Sequence, residues 1–343
     1  MDIRKVQMTG GSSFIVTLPK DWAETVGLKK NDPLRLSPQS DGSIIITTAN
    51  SENTSEYITK EVNVDGLMDP DLIFRMLVGA YMSGFSLIEV TSSSRLSNTV
   101  LDVVNRMTQV AIGLEIIEEY DDKIILKDLV DPSEMKMGKS VERMKVLVRN
   151  MLTDVVSALS NDDISFVSDI PARDSDVNRL AWLITRQTNM FQRDIGLLKK
   201  IGLDHSDITS NYTISRIIER IGDHAVLISE NSRKIMGNSA FADLRGEASR
   251  LCTESISIFV KSLGTLNSED PQVASDCVRE CIELNDMIKK LNRHALGNEY
   301  DAALSVNLMS SSMRRVCEYS MDIAELAINS IMGKREKRVE KRS

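Results

Sequence analysis

From about residue 134 to residue 334, apolar residues return every third or fourth position, the spacing that keeps them on one side of a helix. Polar breaks divide this stretch and predict six helices at about 134–160, 173–200, 209–236, 241–266, 270–297 and 301–334. Val141, Met144, Leu147, Met151, Leu152 and Val155 trace one core stripe, and Leu251, Ile256, Phe259, Val260 and Leu263 trace a second. Asn161-Asp162-Asp163, Asp204-His205-Ser206-Asp207 and the run from Asn267 to Pro271 read as loops of a helical bundle.

The first 130 residues follow a different rhythm. Residues 57–130 alternate as strands near Ile58–Val64 and Ser86–Val90 and in a closing hairpin around Asp121-Asp122, with helices at Pro70–Ser83 and Asn98–Val110. These elements suit an α+β sandwich of roughly ferredoxin-like type. Residues 3–49 predict short strands at Ile3–Thr9, Phe14–Leu18, Pro33–Leu36 and Ile44–Thr47, a short helix opened by Pro19 and stopped at Gly27, and a turn at Asp41-Gly42. About 50 residues of this kind bury too little apolar surface alone, which predicts pairing with a second copy of the chain.

The expected organisation is therefore an N-terminal module over 1–50, an α+β domain over 55–131 and two three-helix units over 132–237 and 238–336. With 343 residues, 42% apolar and 27% charged, the chain can support several cores. No stretch reaches the roughly 20 apolar residues of a membrane span, and the N-terminus opens on Asp2, Arg4 and Lys5, so a cytoplasmic protein without membrane insertion is expected. Cys252, Cys277, Cys281 and Cys317 all fall in apolar helical patterns and read as reduced core residues.

A net charge of −8 argues against a surface coated for nonspecific nucleic-acid binding, yet both ends are locally basic: Arg4, Lys5, Lys20, Lys29 and Lys30 at one, Lys334–Arg342 at the other. The tail could touch DNA or an anionic surface, or be simply solvated.

Candidate chemistry centres on Glu219-Arg220-Ile221-Gly222-Asp223-His224. Glu219 and Asp223 stand one helical turn apart and share a face. An echo follows at Arg314-Arg315-Val316-Cys317-Glu318-Tyr319, and each copy runs into a similar tail, Ile228-Ser229-Glu230 and Ile323-Ala324-Glu325, so the helical half reads as a duplication. Glu219 could instead pair with Arg216, Arg179 or Arg186 as an ordinary helix-face salt bridge. His224 projects about 100° away from Asp223 on an ideal helix and reads as a packing residue. Di-iron oxidase sites require Glu-x-x-His pairs on two helices, and neither these nor a nucleophile elbow or phosphate loop occurs, so an enzyme is not expected.

Two resemblances bear on these residues. Arg4-Lys5-Val6-Gln7, Gly10-Gly11-Ser12-Ser13, Val16–Trp22 and Val26–Leu34 resemble the SpoVT/AbrB family, whose swapped hairpins from two chains close one small barrel that grips DNA. The resemblance implies a homodimer with Arg4, Lys5, Ser12, Ser13 and Lys20 as DNA contacts; a module that only dimerises is the open alternative.

The helical half resembles the PhoU family of phosphate-uptake regulators, built from two three-helix repeats, with Glu219–Asp223 as the signature and Asp174-Ser175-Asp176-Val177-Asn178 as its companion. This implies a metal site of Asp174, Asn178, Glu219 and Asp223 whose oxygens suit Mg, Mn or Fe, with Zn tolerated, and a phosphate transporter or sensor kinase as partner. The second repeat departs: Arg314 and Lys289 stand where ligands belong, with Asn285 in place of the Asp and Glu318 in place of the second acid. At most one metal site per chain is expected, with Arg314 neutralising Glu318 or Glu283. The joint implication is a phosphate-responsive transcriptional regulator, or alternatively a dimeric interaction protein acting on a transporter or kinase without touching DNA.

Overall fold

The computed structural model describes residues 3–11, 13–38, 42–48, 58–131, 134–194, 197–198 and 201–333. Packing divides the chain into two units, Met1–Ile58 and Thr59–Ser343.

In the first unit, β1 (Gln7–Thr9) and β2 (Ser13–Ile15) form an antiparallel hairpin whose last pair is Thr9 with Ser13. The turn requires the left-handed backbone of Gly10 and Gly11, φ 63° and 78°, which glycine adopts at little cost. A short helix α1 (Lys20–Thr25) follows Pro19 and gives way to Gly27 at φ 64°, and β3 (Leu34–Pro38) pairs antiparallel with β4 (Ile44–Thr48). Asp41 of the expected turn and Ser12 lie outside the described residues. The strands form two separate two-stranded sheets, and no sheet closes among the described residues of one chain. No described residue of 3–48 is buried, and Val6, Met8, Phe14, Leu36 and Ile44 are all open to solvent.

The second unit begins with a four-stranded sheet of β5 (Thr59–Asn63), β6 (Leu87–Thr91), β7 (Leu114–Glu119) and β8 (Lys123–Asp128) in the order β5-β6-β8-β7. Helices α2 (Pro70–Met82) and α3 (Asn98–Val110) pack on it; Asp69 caps α2 ahead of Pro70 and Ser97 caps α3. The core includes Ile73, Leu77, Tyr81, Ile88, Val90, Val104, Leu114 and Leu126. The element order is β-α-β-α-β-β, with β5 and β6 parallel and the other pairs antiparallel. The elements and their order along the chain are those the sequence predicts, but both helices precede the hairpin and the strands lie in the order β5-β6-β8-β7, so the sheet is not of the expected ferredoxin-like type.

Six long helices complete the unit: α4 (Met137–Asn161), α5 (Ile170–Arg193), α6 (His205–Ser232), α7 (Ala242–Thr265), α8 (Pro271–Ala295) and α9 (Tyr300–Gly333). Asp204 and Asp207, expected in a loop, form a reciprocal capping box that starts α6, with the Asp204 carboxylate accepting from Asp207 N at 2.9 Å and the Asp207 carboxylate accepting from Asp204 N at 3.0 Å. Asp270 caps α8 just before Pro271. Both three-helix units feed one continuous apolar core, from Met137 and Val141 through Ile221 and Phe259 to Met313 and Ala324. All four cysteines are free and buried in it.

Candidate metal centre

Asp174 lies one turn before Asn178 on α5, on the side facing α6. Asn178 Nδ2 donates to Asp174 Oδ2 at 3.1 Å, which fixes one oxygen of the carboxylate. The other, Oδ1, is buried with no hydrogen-bond partner. A buried acceptor left unpaired is costly, and an ionised one more so. Burial, reinforced by the nearby charge of Asp223, lifts the Asp174 pKa to about 6.

Gly222 is what lets α6 come this close. A Cβ at that position would meet Asp174 Oδ1 at 3.3 Å and the Val148 methyl at 3.4 Å. On either side of it Glu219 and Asp223 project from the same face of α6. Both have raised pKa values, mainly through burial, and Glu219 also feels the charges of Asp223 and Asp174 against relief from Arg216. Three carboxylates thus share one electrostatic neighbourhood across the α5/α6 seam, and each makes it harder for the next to ionise.

The salt bridge considered for Glu219 is also present: Arg216 Nη1 lies 3.5 Å from Glu219 Oε2. It leaves Asp174 unneutralised. Arg179 and Arg186 turn elsewhere, to Asp176 at 3.2 Å and Asp128 at 2.7 Å. Among the described residues, no three His, Cys, Asp or Glu side chains are already grouped tightly enough to grip one ion. The donor set itself fits an oxygen-seeking cation: a buried, unpartnered carboxylate oxygen, two further carboxylates beside it and a neutral amide. His224 packs its ring against Tyr319 at 5.9 Å, with Nδ1 buried and unpartnered, and burial lowers its pKa.

In the second repeat, Arg314 Nε lies 3.7 Å from Glu318 Oε1 and Arg315 Nη1 lies 2.9 Å from Glu318 Oε2, so Glu318 is neutralised as expected. Lys289 pairs with Asp286 at 2.8 Å. Cys317 occupies the place of Gly222 and is buried in the core.

The candidate DNA contacts are more dispersed. Arg4 and Lys5 are exposed on the segment leading into β1, Ser13 opens β2, and Lys20 opens α1 with its ammonium 3.4 Å from Glu24. Ser12 and the basic tail lie outside the described residues.

Sequence spacing gave no hint of the coupling between α5 and the sheet domain. Arg186 Nε donates to Asp128 Oδ2 at 2.7 Å and Nη1 to the Tyr81 carbonyl at 2.7 Å; Asn189 donates to Met82 O and Arg179 to Val110 O. The helix that carries Asp174 is thereby bonded to α2, α3 and β8.

The acid-lined seam thus lies between two helices of a six-helix bundle joined to a sheet domain. Residues 141–232 match the PhoU domain family, and residues 7–54 match the family of the antidote-toxin recognition protein MazE, a bacterial antitoxin. All four candidate metal residues fall within the first match. Similar solved structures include the phosphate transport system regulatory protein PhoU from Streptococcus pneumoniae, 15% identical, covering 58% of this chain and 94% of that one at a TM-score of 0.49. PhoU from Pseudomonas aeruginosa is 18% identical, covering 57% and 96% at 0.46. No curated protein matches the chain. Among the described residues, no helix is long and apolar enough to cross a membrane.

Proposed function

We propose that this protein is a cytoplasmic, non-enzymatic regulator of phosphate uptake, in which a metal-binding helical half reports to a DNA-binding N-terminal dimer. The observation that carries this reading is the buried, unpartnered Asp174 oxygen in an acidic seam that falls wholly within the PhoU domain. The cation would be Mg²⁺, Mn²⁺ or an iron ion, with Zn²⁺ accepted, because all the donors are oxygens. It would relieve the mutual repulsion of Asp174, Glu219 and Asp223 and stiffen the α5/α6 seam. From there, Arg186 and Asn189 extend along α5 to the sheet domain.

The dimer reading rests on the exposed apolar residues of the first unit and its unclosed sheets. Two chains exchanging hairpins would cover these faces in a single barrel and place two copies of Arg4, Lys5, Ser12, Ser13 and Lys20 on one surface. Binding would then be salt-sensitive, because cations on phosphates release counterions. A mobility-shift assay with promoter DNA of phosphate-transport genes tests this: the wild type should shift the DNA and Arg4→Ala/Lys5→Ala should bind at least about tenfold more weakly at physiological salt. Equal or absent binding in both leaves the interaction-protein reading, in which the dimer acts on a transporter or kinase.

A further inference from the structure

In the second repeat the seam between α8 and α9 opens into a recess of about 160 Å³, lined by Asn285, Lys289 and Asn292 from α8 and Asn307, Ser310 and Arg314 from α9. These residues recur at three- and four-residue intervals, so each helix contributes one polar stripe to a single cleft. Three of the lining groups have buried polar atoms without a hydrogen-bond partner: Asn285 Oδ1, Asn292 Oδ1 and Ser310 Oγ. Ser310 is fully buried, which makes its hydroxyl especially telling. Other buried serine hydroxyls have partners, Ser305 and Ser320 on their own helix and Ser249 across to Ser160 and Val156 of α4, whereas Ser310 Oγ has none.

We propose that this recess is a binding site for a small, protonated oxyanion of the hydrogenphosphate type. The Lys289 ammonium and the Arg314 guanidinium at its mouth supply positive charge. The Ser310 hydroxyl donates from its floor. With the amides oriented so that Asn285 Oδ1 and Asn292 Oδ1 face the recess, a ligand that brings a hydrogen of its own is favoured, and hydrogenphosphate does so while sulfate cannot. Asp286 and Glu318, which now hold Lys289 and Arg314, are competitors, but these pairs lie at the surface, where such pairs are weak and readily re-formed. The substitutions that remove metal ligands from the second repeat thus make a site of opposite charge preference, so that one duplicated seam takes a cation and the other an anion. This site stands on its own residues and does not depend on the metal or DNA readings.

Isothermal titration of the full chain in EDTA, at fixed ionic strength and pH about 6, tests it with inorganic phosphate, glycerol 3-phosphate and sulfate, both phosphates there carrying an O–H on part of their population. EDTA keeps a cation in the first repeat from holding the anion. One phosphate should bind per chain, with sulfate at least about tenfold weaker because it leaves the asparagine oxygens unpaired. Tighter binding of glycerol 3-phosphate than of inorganic phosphate would identify a phosphomonoester as the ligand within the same chemistry. Arg314→Gln and Ser310→Ala should each weaken phosphate by about tenfold, while Lys261→Gln, an exposed cation on α7, should not. Arg314 is exposed, so its replacement leaves folding intact even if Ser310→Ala perturbs the core. No binding by the wild type, equal affinity for sulfate, or equal loss in Lys261→Gln would overturn the proposal.

Discussion

The Arg186 guanidinium on α5 meets the Asp128 carboxylate at the end of β8 at 2.7 Å, with only 1% and 8% of the two side chains exposed. Nε makes the directed hydrogen bond, and Nη2 sits 2.7 Å from the same oxygen as an ion contact. Removing one member strands a buried charge. Arg186→Leu should therefore destabilise the second unit by about 3–5 kcal/mol, and Arg186→Leu/Asp128→Leu should recover much of that loss. Urea denaturation followed by circular dichroism checks both values. Equal stability of wild type and single variant would mean that α5 is not fastened to the sheet in this way.

Gly222 separates packing from ligation. Alanine is the better helix former by about 1 kcal/mol, and its methyl would press on Asp174 Oδ1 and Val148 at 3.3–3.4 Å. Gly222→Ala should leave the melting temperature close to that of the wild type while lowering affinity for Mn²⁺ at least about tenfold. Paired thermal melts with and without Mn²⁺ read both effects.

Asp174→Asn removes a desolvated charge beside two other carboxylates and presents an N–H2 group to them. In EDTA this variant should be more stable than the wild type by on the order of 1 kcal/mol. With Mn²⁺ the order should reverse, because only the wild type gains from the ion. Chemical denaturation in the two buffers gives the sign directly.

Phe14 is 74% exposed on β2. If hairpin exchange covers it, Phe14→Asp should convert a dimer into a monomer while the helical half keeps its melting transition. Light scattering after size exclusion, combined with calorimetry, separates the two readouts.

Much of the helical half was legible in the sequence because each helix has a wide apolar stripe and a definite stop. The Asp204–Asp207 stretch was misjudged because a capping box uses the same short polar residues as a loop. The sheet's strands were visible in their alternation, whereas their order depends on which edge the last hairpin joins, and no local pattern records that. The barrel was expected from two chains, and among one chain's described residues Val6, Phe14 and Leu36 remain open to solvent. Glu219 and Asp223 were recognisable as a pair from their four-residue spacing. That Asp174 would present a bare oxygen to them depends on how closely Gly222 lets two helices approach, and the role of Ser310 depends on a cavity left between α8 and α9. Both are properties of packing between helices distant in sequence.

Metal analysis of protein purified without chelator, with Glu219→Ala/Asp223→Ala prepared in parallel, bears most directly on the central claim. About one or more ions of Mg, Mn, Fe or Zn are expected per wild-type chain and little in the variant, with both folded by circular dichroism. Equal metal content in the two proteins, whether substantial or negligible, would contradict it.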